Sequence, residues 1–102
     1  MPKRRPTTLK PMHPGEMLRE DVLPAIGRTK TEIATLLGVS RQTLHDILSE
    51  KQPVTPMMAL RIGKLLGNGP EFWINLQRRF DLHAAAQMLA SEIDKIPTLT
   101  AA

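Results

Sequence analysis

The chain has 102 residues and no cysteine. A chain of this length forms one domain with a single modest core. Without cysteine it has neither disulfides nor thiolate metal sites. No apolar run approaches the roughly 20 residues that a membrane-spanning helix requires, and the charged N-terminus is not followed by an apolar signal core. We therefore expect a soluble, cytoplasmic protein.

The net charge of +4 is concentrated at the start of the chain. Residues 1–12 contain Lys3, Arg4, Arg5 and Lys10 and no acidic residue, whereas residues 13–102 contain 10 basic and 10 acidic residues. This basic N-terminal arm is interpreted either as a solubilising tail or as a contact to DNA or to a protein partner. In the rest of the chain, any affinity for nucleic acid must depend on where individual charges lie.

The first predicted helix begins at His13-Pro14-Gly15, because proline is well suited to the first turn of a helix. Pro24 together with Gly27 is predicted to end it. Its buried side is predicted to consist of four apolar residues, Met17, Leu18, Val22 and Leu23.

Residues 29–52 have the layout of a helix-turn-helix. Thr29 precedes Glu32 by three residues, the spacing of a capping box, and Gly38 is suited to end the short helix that follows. Ser40 is predicted to cap a second helix over residues 41–48, which has a single apolar face formed by Leu44, Ile47 and Leu48. Two short helices joined by a tight glycine turn favour DNA binding through the second helix.

A fourth helix is predicted between Thr55, as its cap, and Gly67, with Pro56 at its first position. A glycine in a helix interior costs roughly 1 kcal/mol relative to alanine. Gly63 is therefore predicted to allow another backbone to come close. The core stripe of this helix is predicted to be Met58, Ala59, Ile62 and Leu66.

The last third of the chain is predicted to be helical from about Pro70. No glycine or proline interrupts residues 71–96, so this stretch forms either one helix or two, with Asp81 as a possible cap of the second. An apolar stripe predicted to dock on the core contains Phe72, Trp73, Leu76 and Phe80. A second stripe, Leu82, Ala85, Leu89, Ile93 and Ile96, includes residues seven apart and favours a dimer or partner surface over packing on the same chain.

The helix-turn-helix layout assigns DNA contacts to named side chains. Arg41 is predicted to read guanine and Gln42 adenine, while Thr43 contacts a thymine methyl group and Asp46 accepts from cytosine. A single unit covers too little DNA for specific binding, so we expect a dimer with half-sites about 34 Å apart on palindromic double-stranded operator DNA. Contacts to the DNA backbone are predicted for Thr29, Lys30, Ser40, His45 and Lys51.

Catalysis and metal binding are not expected from the sequence. The three histidines lie on separate predicted elements, and no histidine has a second ligand four residues away. Glu16, Glu20 and Asp21 lie beside Arg19 and are interpreted as solvated charges rather than as an acid–base pair. No cofactor is predicted.

Several motifs outside the helix-turn-helix are more selective. They are His13-Pro14-Gly15-Glu16 with Leu18, Met58-Ala59-Leu60-Arg61, Pro70-Glu71-Phe72-Trp73, Asn75-Leu76-Gln77 and Asp81-Leu82. With these motifs, residues 13–82 resemble the HigA antitoxin family of the lambda-repressor-like, Xre-type helix-turn-helix group. Two departures are Lys30, where glutamine is frequent, and Gly63, where alanine is usual.

The resemblance implies an all-α protein of about five helices with a C-terminal helical extension. It implies a dimer that represses its own operon and neutralises a HigB-like, mRNA-cleaving toxin. Two alternatives remain: a stand-alone repressor, and a protein-interaction module with a vestigial helix-turn-helix. The expected organisation is a basic, flexible arm over residues 1–12, a DNA-binding domain over 13–82, and a C-terminal helical extension and tail over 83–102.

Overall fold

Six helices, labelled α1 to α6 in chain order, form the regular structure of residues 10–100, the part of the computed structural model described below. Helix α1 covers residues 14–26 in three consecutive stretches, which are the α-helical Pro14–Met17, the π-helical Leu18–Val22 and the α-helical Leu23–Ile26. The others are α2 (Lys30–Leu37), α3 (Arg41–Leu48), α4 (Pro56–Leu66), α5 (Pro70–Met88) and α6 (Ala90–Asp94). The predicted all-α fold is confirmed, and residues 10–100 contain no strand.

The helix boundaries follow the predicted caps. Thr29 and Glu32 form the reciprocal bonds of a capping box at the start of α2, and Ser40 and Thr55 cap α3 and α4 through their hydroxyl groups. Gly38 closes α2 with a φ of 75°, a left-handed conformation that glycine adopts without a steric penalty.

The core lies between α1 and the four helices that follow it. Ile33, Leu44, Ile47 and Ile62 are at most 2% exposed, and Trp73 of α5 is 1% exposed. The Trp73 indole N–H donates to Asn68 Oδ1 at 3.0 Å, so the buried ring has its polar atom satisfied. The interpretation of Trp73 as a core residue is therefore confirmed.

Gly63 brings the backbones of α4 and α5 together. A Cβ atom at this position would lie 2.6 Å from both the Gly69 carbonyl oxygen and the Pro70 nitrogen, far inside van der Waals contact. The prediction of a close backbone approach at Gly63 is confirmed.

Two details of the predicted elements need correction. Helix α1 ends at Gly27, as predicted, but Pro24 lies inside its last stretch rather than at its end. Proline has no N–H to donate, and the π-helical turn before it pairs the Leu23 N–H with the Leu18 carbonyl five residues back. The expectation that Phe72 docks on the core is wrong, because its side chain is 42% exposed and contacts Trp73 edge-to-face.

The C-terminal segment forms two helices, and the break falls at Leu89 rather than at Asp81. Asp81 accepts a hydrogen bond from the Gln77 amide at 3.0 Å within α5 and does not cap a helix. Leu89 has φ −105° and ψ 12°, which ends α5, so the seven-residue spacing does not follow one continuous helix. The five stripe residues, Leu82, Ala85, Leu89, Ile93 and Ile96, are all exposed.

Within residues 10–100, no helix is both long and apolar enough to cross a lipid bilayer. The residues Lys3, Arg4 and Arg5 of the predicted basic arm lie outside the described residues, whereas Lys10 is exposed.

Candidate nucleic-acid interface

Helix α3 presents one apolar and one polar face. Leu44, Ile47 and Leu48 are at most 3% exposed and fasten the helix to the core. In the first turn, Arg41 and Gln42 are exposed. The side chains of a first turn are the ones that a recognition helix directs at base edges in the major groove.

The predicted base-reading residues lie together on α3. Arg41 and Gln42 are exposed, whereas Thr43 and Asp46 are half-buried. The Gln42 amide Nε2 donates to Asp46 Oδ1 at 2.8 Å, four residues along the same helix. Two of the four predicted readers are therefore paired with each other before DNA is bound.

The predicted backbone-contacting residues fall into two groups. Lys30, His45 and Lys51 are exposed, and their side chains make no hydrogen bond or ion pair within residues 10–100. Thr29 and Ser40, by contrast, use their hydroxyls within the protein: Thr29 Oγ1 accepts from the Glu32 N–H at 3.1 Å, and Ser40 Oγ accepts from the Thr43 N–H at 3.0 Å. A phosphate oxygen only accepts hydrogen bonds, so a phosphate contact would use the O–H that Thr29 donates to Glu32 Oε1 at 3.3 Å and that Ser40 donates to Thr43 Oγ1 at 2.9 Å. The capping bonds, in which the hydroxyl oxygens accept, can remain.

An acidic group also stands at the start of α2. Glu32 Oε1 accepts from the Thr29 N–H at 2.9 Å, and this bond, together with that from the Thr29 hydroxyl, lowers the pKa of the Glu32 carboxyl. The Thr29 N–H is thus already bonded to the Glu32 carboxylate. The amides at the first helical positions, which lack intrahelical partners in any α-helix, are the ones that can face an anion.

Helix α1 supports α3 at its C-terminal end. Arg19 Nη1 donates to the Leu48 carbonyl oxygen at 2.6 Å and to Glu50 Oε2 at 3.3 Å. Gly15 lies directly against the Ile47 carbonyl, so closely that a Cβ atom would overlap it. Since a helix end leaves carbonyls without intrahelical partners, Arg19 satisfies one of them from a different helix.

The turn between α2 and α3 is held from α4. Arg61 Nη1 donates to the Leu37 carbonyl oxygen at 2.8 Å and lies near the Gly38 carbonyl at 3.4 Å. Arg61 thereby binds the C-terminal end of α2 just before the recognition helix begins. Arg19 and Arg61 together fix the position of the helix-turn-helix relative to the rest of the core.

His13 is a buried cap rather than a surface residue. Its Nδ1 accepts from the Gly15 N–H at 2.8 Å, the side chain is 3% exposed, and its ring meets that of Phe80 edge-on at 4.9 Å. Burial lowers the pKa of the His13 imidazole, an effect opposed by the charges of Glu50 and Asp81.

Sequence reasoning missed the roles of Arg19, Arg61, His13 and Gln77. Gln77 is 4% exposed, and its Oε1 accepts from the Val54 N–H at 2.8 Å. Three of these contacts link residues 23 to 29 positions apart. His13-Pro14 was a readable cap signal, because a polar side chain directly precedes a first-turn proline.

Among residues 10–100, no group of three histidine, aspartate or glutamate side chains is arranged to hold a metal ion.

The fold and the exposed face of α3 define a helix-turn-helix protein, with α2 as the supporting helix and α3 as the recognition helix.

Comparison with known proteins places the chain in a family. The family model described as helix-turn-helix matches residues 18–73. Antitoxin HigA-1 of Vibrio cholerae is 36% identical over 78 residues, which cover 76% of this chain and 73% of the relative. The chain therefore belongs to the HigA-type antitoxins of the helix-turn-helix family.

Two solved structures of similar proteins contain DNA. Pseudomonas aeruginosa antitoxin HigA with the higBA promoter matches with a TM-score of 0.84 and 33% identity, over 89% of this chain and 100% of that chain. Antitoxin GraA in complex with its operator matches with a TM-score of 0.84 and 39% identity, over 96% of this chain and 100% of that chain.

Proposed function

We propose that this antitoxin binds palindromic operator DNA as a homodimer, represses its own operon, and neutralises a HigB-like mRNA-cleaving toxin. We assign the DNA-binding domain to residues 13–82, the C-terminal helical extension and tail to residues 83–102, and the basic arm to residues 1–12. The observation that carries the proposal is the amphipathic recognition helix α3, with its buried apolar face and exposed Arg41 and Gln42.

The DNA-binding part is supported by the chemistry of the α3 surface. Arg41 has two donors suited to guanine O6 and N7, and the Gln42 amide matches adenine N6 and N7. The same helix-turn-helix also carries exposed cations, with Lys30 at the start of α2 and Lys51 after α3. Phosphate contacts from such side chains orient the protein on the duplex, while the base contacts supply the sequence preference.

The dimer is supported by the apolar side chains of the C-terminal extension. Leu82 is 63% exposed, Leu89 49%, Ile93 47% and Ile96 67%. Several large, exposed apolar side chains on one short segment are typical of a protein–protein interface. Pairing two copies through this extension gives the two recognition helices that a palindromic operator requires.

The DNA-binding proposal is tested with a duplex containing the promoter of the protein's own operon. Wild type is expected to bind it selectively over a scrambled duplex and with an affinity that falls as salt rises. Replacing two good base contacts in the Arg41→Ala, Gln42→Ala variant is expected to weaken binding at least tenfold. The matched control is Asn75→Ala, Arg79→Ala, which removes one side-chain amide and one arginine from exposed positions on α5 that precede the extension. Equal, non-selective binding by wild type to both duplexes would contradict the proposal.

The antitoxin activity is tested separately. The neighbouring gene product is co-expressed with the antitoxin, and both co-purification and rescue of cell growth are measured. The Arg41→Ala, Gln42→Ala variant is expected to rescue growth as wild type does, because we propose that the toxin binds a surface other than the exposed residues of α3. Operator binding without any binding or rescue by the neighbouring product would instead identify a stand-alone repressor.

A further inference from the structure

We propose that Asp46 is a positioning residue that holds the Gln42 side-chain amide in the one orientation that recognises adenine. The inference rests on the proposed operator binding and goes beyond it by naming the base specificity of one side chain. It replaces the simpler expectation that Asp46 itself reads cytosine.

The pairing of Gln42 with Asp46 determines which way the amide faces. The two residues are four positions apart on α3, so their side chains lie on the same face of the helix. The distance from Gln42 Nε2 to Asp46 Oδ1 is 2.8 Å. An ionised carboxylate only accepts hydrogen bonds, so the NH₂ group of Gln42, and not its carbonyl oxygen, must face Asp46.

The groups that remain on Gln42 match adenine. After one N–H is given to Asp46, the amide still has a second N–H and the Oε1 acceptor. Adenine offers the N6 donor beside the N7 acceptor, whereas guanine offers two acceptors, O6 and N7. Without Asp46, the amide is free to turn by 180° and to exchange the positions of its donor and acceptor. The amide then no longer favours adenine through a single orientation.

Asp46 is itself well anchored. It is half-buried, whereas Gln42 is exposed. The Asp46 carbonyl oxygen accepts from the Lys51 N–H at 2.8 Å and from the Gln52 N–H at 3.1 Å, which fixes the backbone where α3 ends. The half-buried carboxylate of Asp46 therefore holds the exposed amide of Gln42 in place. This role gives the carboxylate a function on a DNA-binding surface, although it repels phosphate.

The test begins with selection of bound duplexes from a randomised library, followed by affinity measurements on single base-pair changes. Gln42→Ala identifies the base pair that Gln42 reads. Asp46→Ala is expected to reduce the adenine preference at that same base pair by about 2- to 12-fold, the cost of immobilising one flexible side chain on binding. The double variant is expected to match Gln42→Ala, because the two residues act as one unit.

Two further variants separate positioning from other roles. Asp46→Asn retains a side-chain oxygen that accepts from Gln42 and is expected to keep most of the adenine preference. Asp21→Ala removes one exposed negative charge from α1 and controls for charge, so it is expected to leave base preference unchanged. Thermal unfolding of every variant checks that α3 is intact. If Asp46→Ala is unfolded, Asp46→Leu, which also lacks a side-chain acceptor, takes its place with the same expected loss of adenine preference.

Three results would overturn the inference. Asp46→Ala changing the preference at a different base pair would identify a direct cytosine reader. A lower melting temperature with unchanged base preference would reduce the pair to a helix-stabilising contact. Additive losses in the double variant would make the two residues independent. In each case wild type still binds selectively, so the proposed operator binding stands, whereas absence of selective binding by wild type would defeat both.

Discussion

The buried imidazole of His13 illustrates how much one side chain can contribute to this small core. It accepts the Gly15 N–H at the first turn of α1 and contacts the Phe80 ring of α5. A protonated imidazole has no acceptor nitrogen, so protonation of His13 ends the capping bond and also places a charge in a buried site. The structural role of this residue therefore depends on its being neutral.

We predict that the stability of the protein falls as the pH decreases below the ordinary histidine value of 6.5. The pKa of His13 is lowered in the folded state, mainly by burial, so the unfolded chain binds more protons in the window just below pH 6.5. The contribution of His13 to the free energy of unfolding is therefore fully present above that window and decreases as the pH falls towards the pKa of His13 in the folded state. Urea unfolding between pH 5 and pH 8 measures the effect (roughly the range over which histidine charge changes).

The His13→Asn variant tests the assignment, because asparagine caps a helix but does not titrate. We expect this variant to lose part of the pH dependence, while His45→Gln, which removes an exposed imidazole, keeps the wild-type profile. An unchanged profile in His13→Asn would show that groups other than His13 control the pH dependence.

Short polar caps were predictable from the sequence and long-reach contacts were not. Thr29, Ser40 and Thr55 each bond to an amide three residues ahead, so a local window contains both partners. Arg19 instead reaches the Leu48 carbonyl across 29 positions. An arginine on an amphipathic helix has the same local pattern whether it faces solvent or a neighbouring helix end, and only the tertiary arrangement decides between them.

At the level of elements, the recognition helix is positioned by its neighbours more than by its own sequence. Its eight residues are too few for an isolated helix to be stable in water. The buried face attaches it to the core, Arg19 binds its C-terminal carbonyl, and Arg61 binds the turn before it. The existence of the helix and its exposed polar residues were predictable from spacing, whereas its orientation depends on α1 and α4.

We predict that Arg61→Met lowers the free energy of unfolding by about 1 kcal/mol, the usual value of one hydrogen bond. Methionine keeps the apolar stem of the side chain but cannot donate to the Leu37 carbonyl. Operator affinity is expected to fall while the slope of log affinity against log salt stays unchanged, since a lost phosphate contact would reduce that slope by about 1.

The control for this prediction is Lys64→Met, which removes the same charge from an exposed position on α4. Lys64→Met is expected to keep wild-type stability within about 0.5 kcal/mol. If Arg61→Met reduces the salt slope and leaves stability unchanged, then Arg61 contacts DNA directly and does not position the turn.

On the scale of the whole molecule, one end is a packed core and the other is an unpaired extension. The overall dimensions are 55 × 33 × 23 Å, and the later part of α5 together with α6 has no buried residue. On α5 the turns of the helix place Leu82 largely opposite the core residue Trp73, so the helix has a second apolar face. The periodicity predicted this face, but the break at Leu89 was not readable from a segment without glycine or proline.

We predict that Leu89→Glu disrupts self-association. In a two-fold symmetric dimer each substitution occurs twice, so the change places two carboxylates in an apolar interface. We expect the dimer dissociation constant to rise at least tenfold, because a buried leucine contributes about 1.5–3 kcal/mol. Sedimentation equilibrium measures this constant. The melting temperature is expected to stay near the wild-type value because Leu89 is 49% exposed and lies outside the core.

The matched control is Met57→Glu, which introduces the same charge at a 70% exposed apolar residue of α4. Binding to a single half-site is expected to persist in Leu89→Glu while affinity for the full palindrome falls, since only the dimer spans both half-sites. If Leu89→Glu remains dimeric while Met57→Glu becomes monomeric, the interface lies on α4 and the extension has another partner.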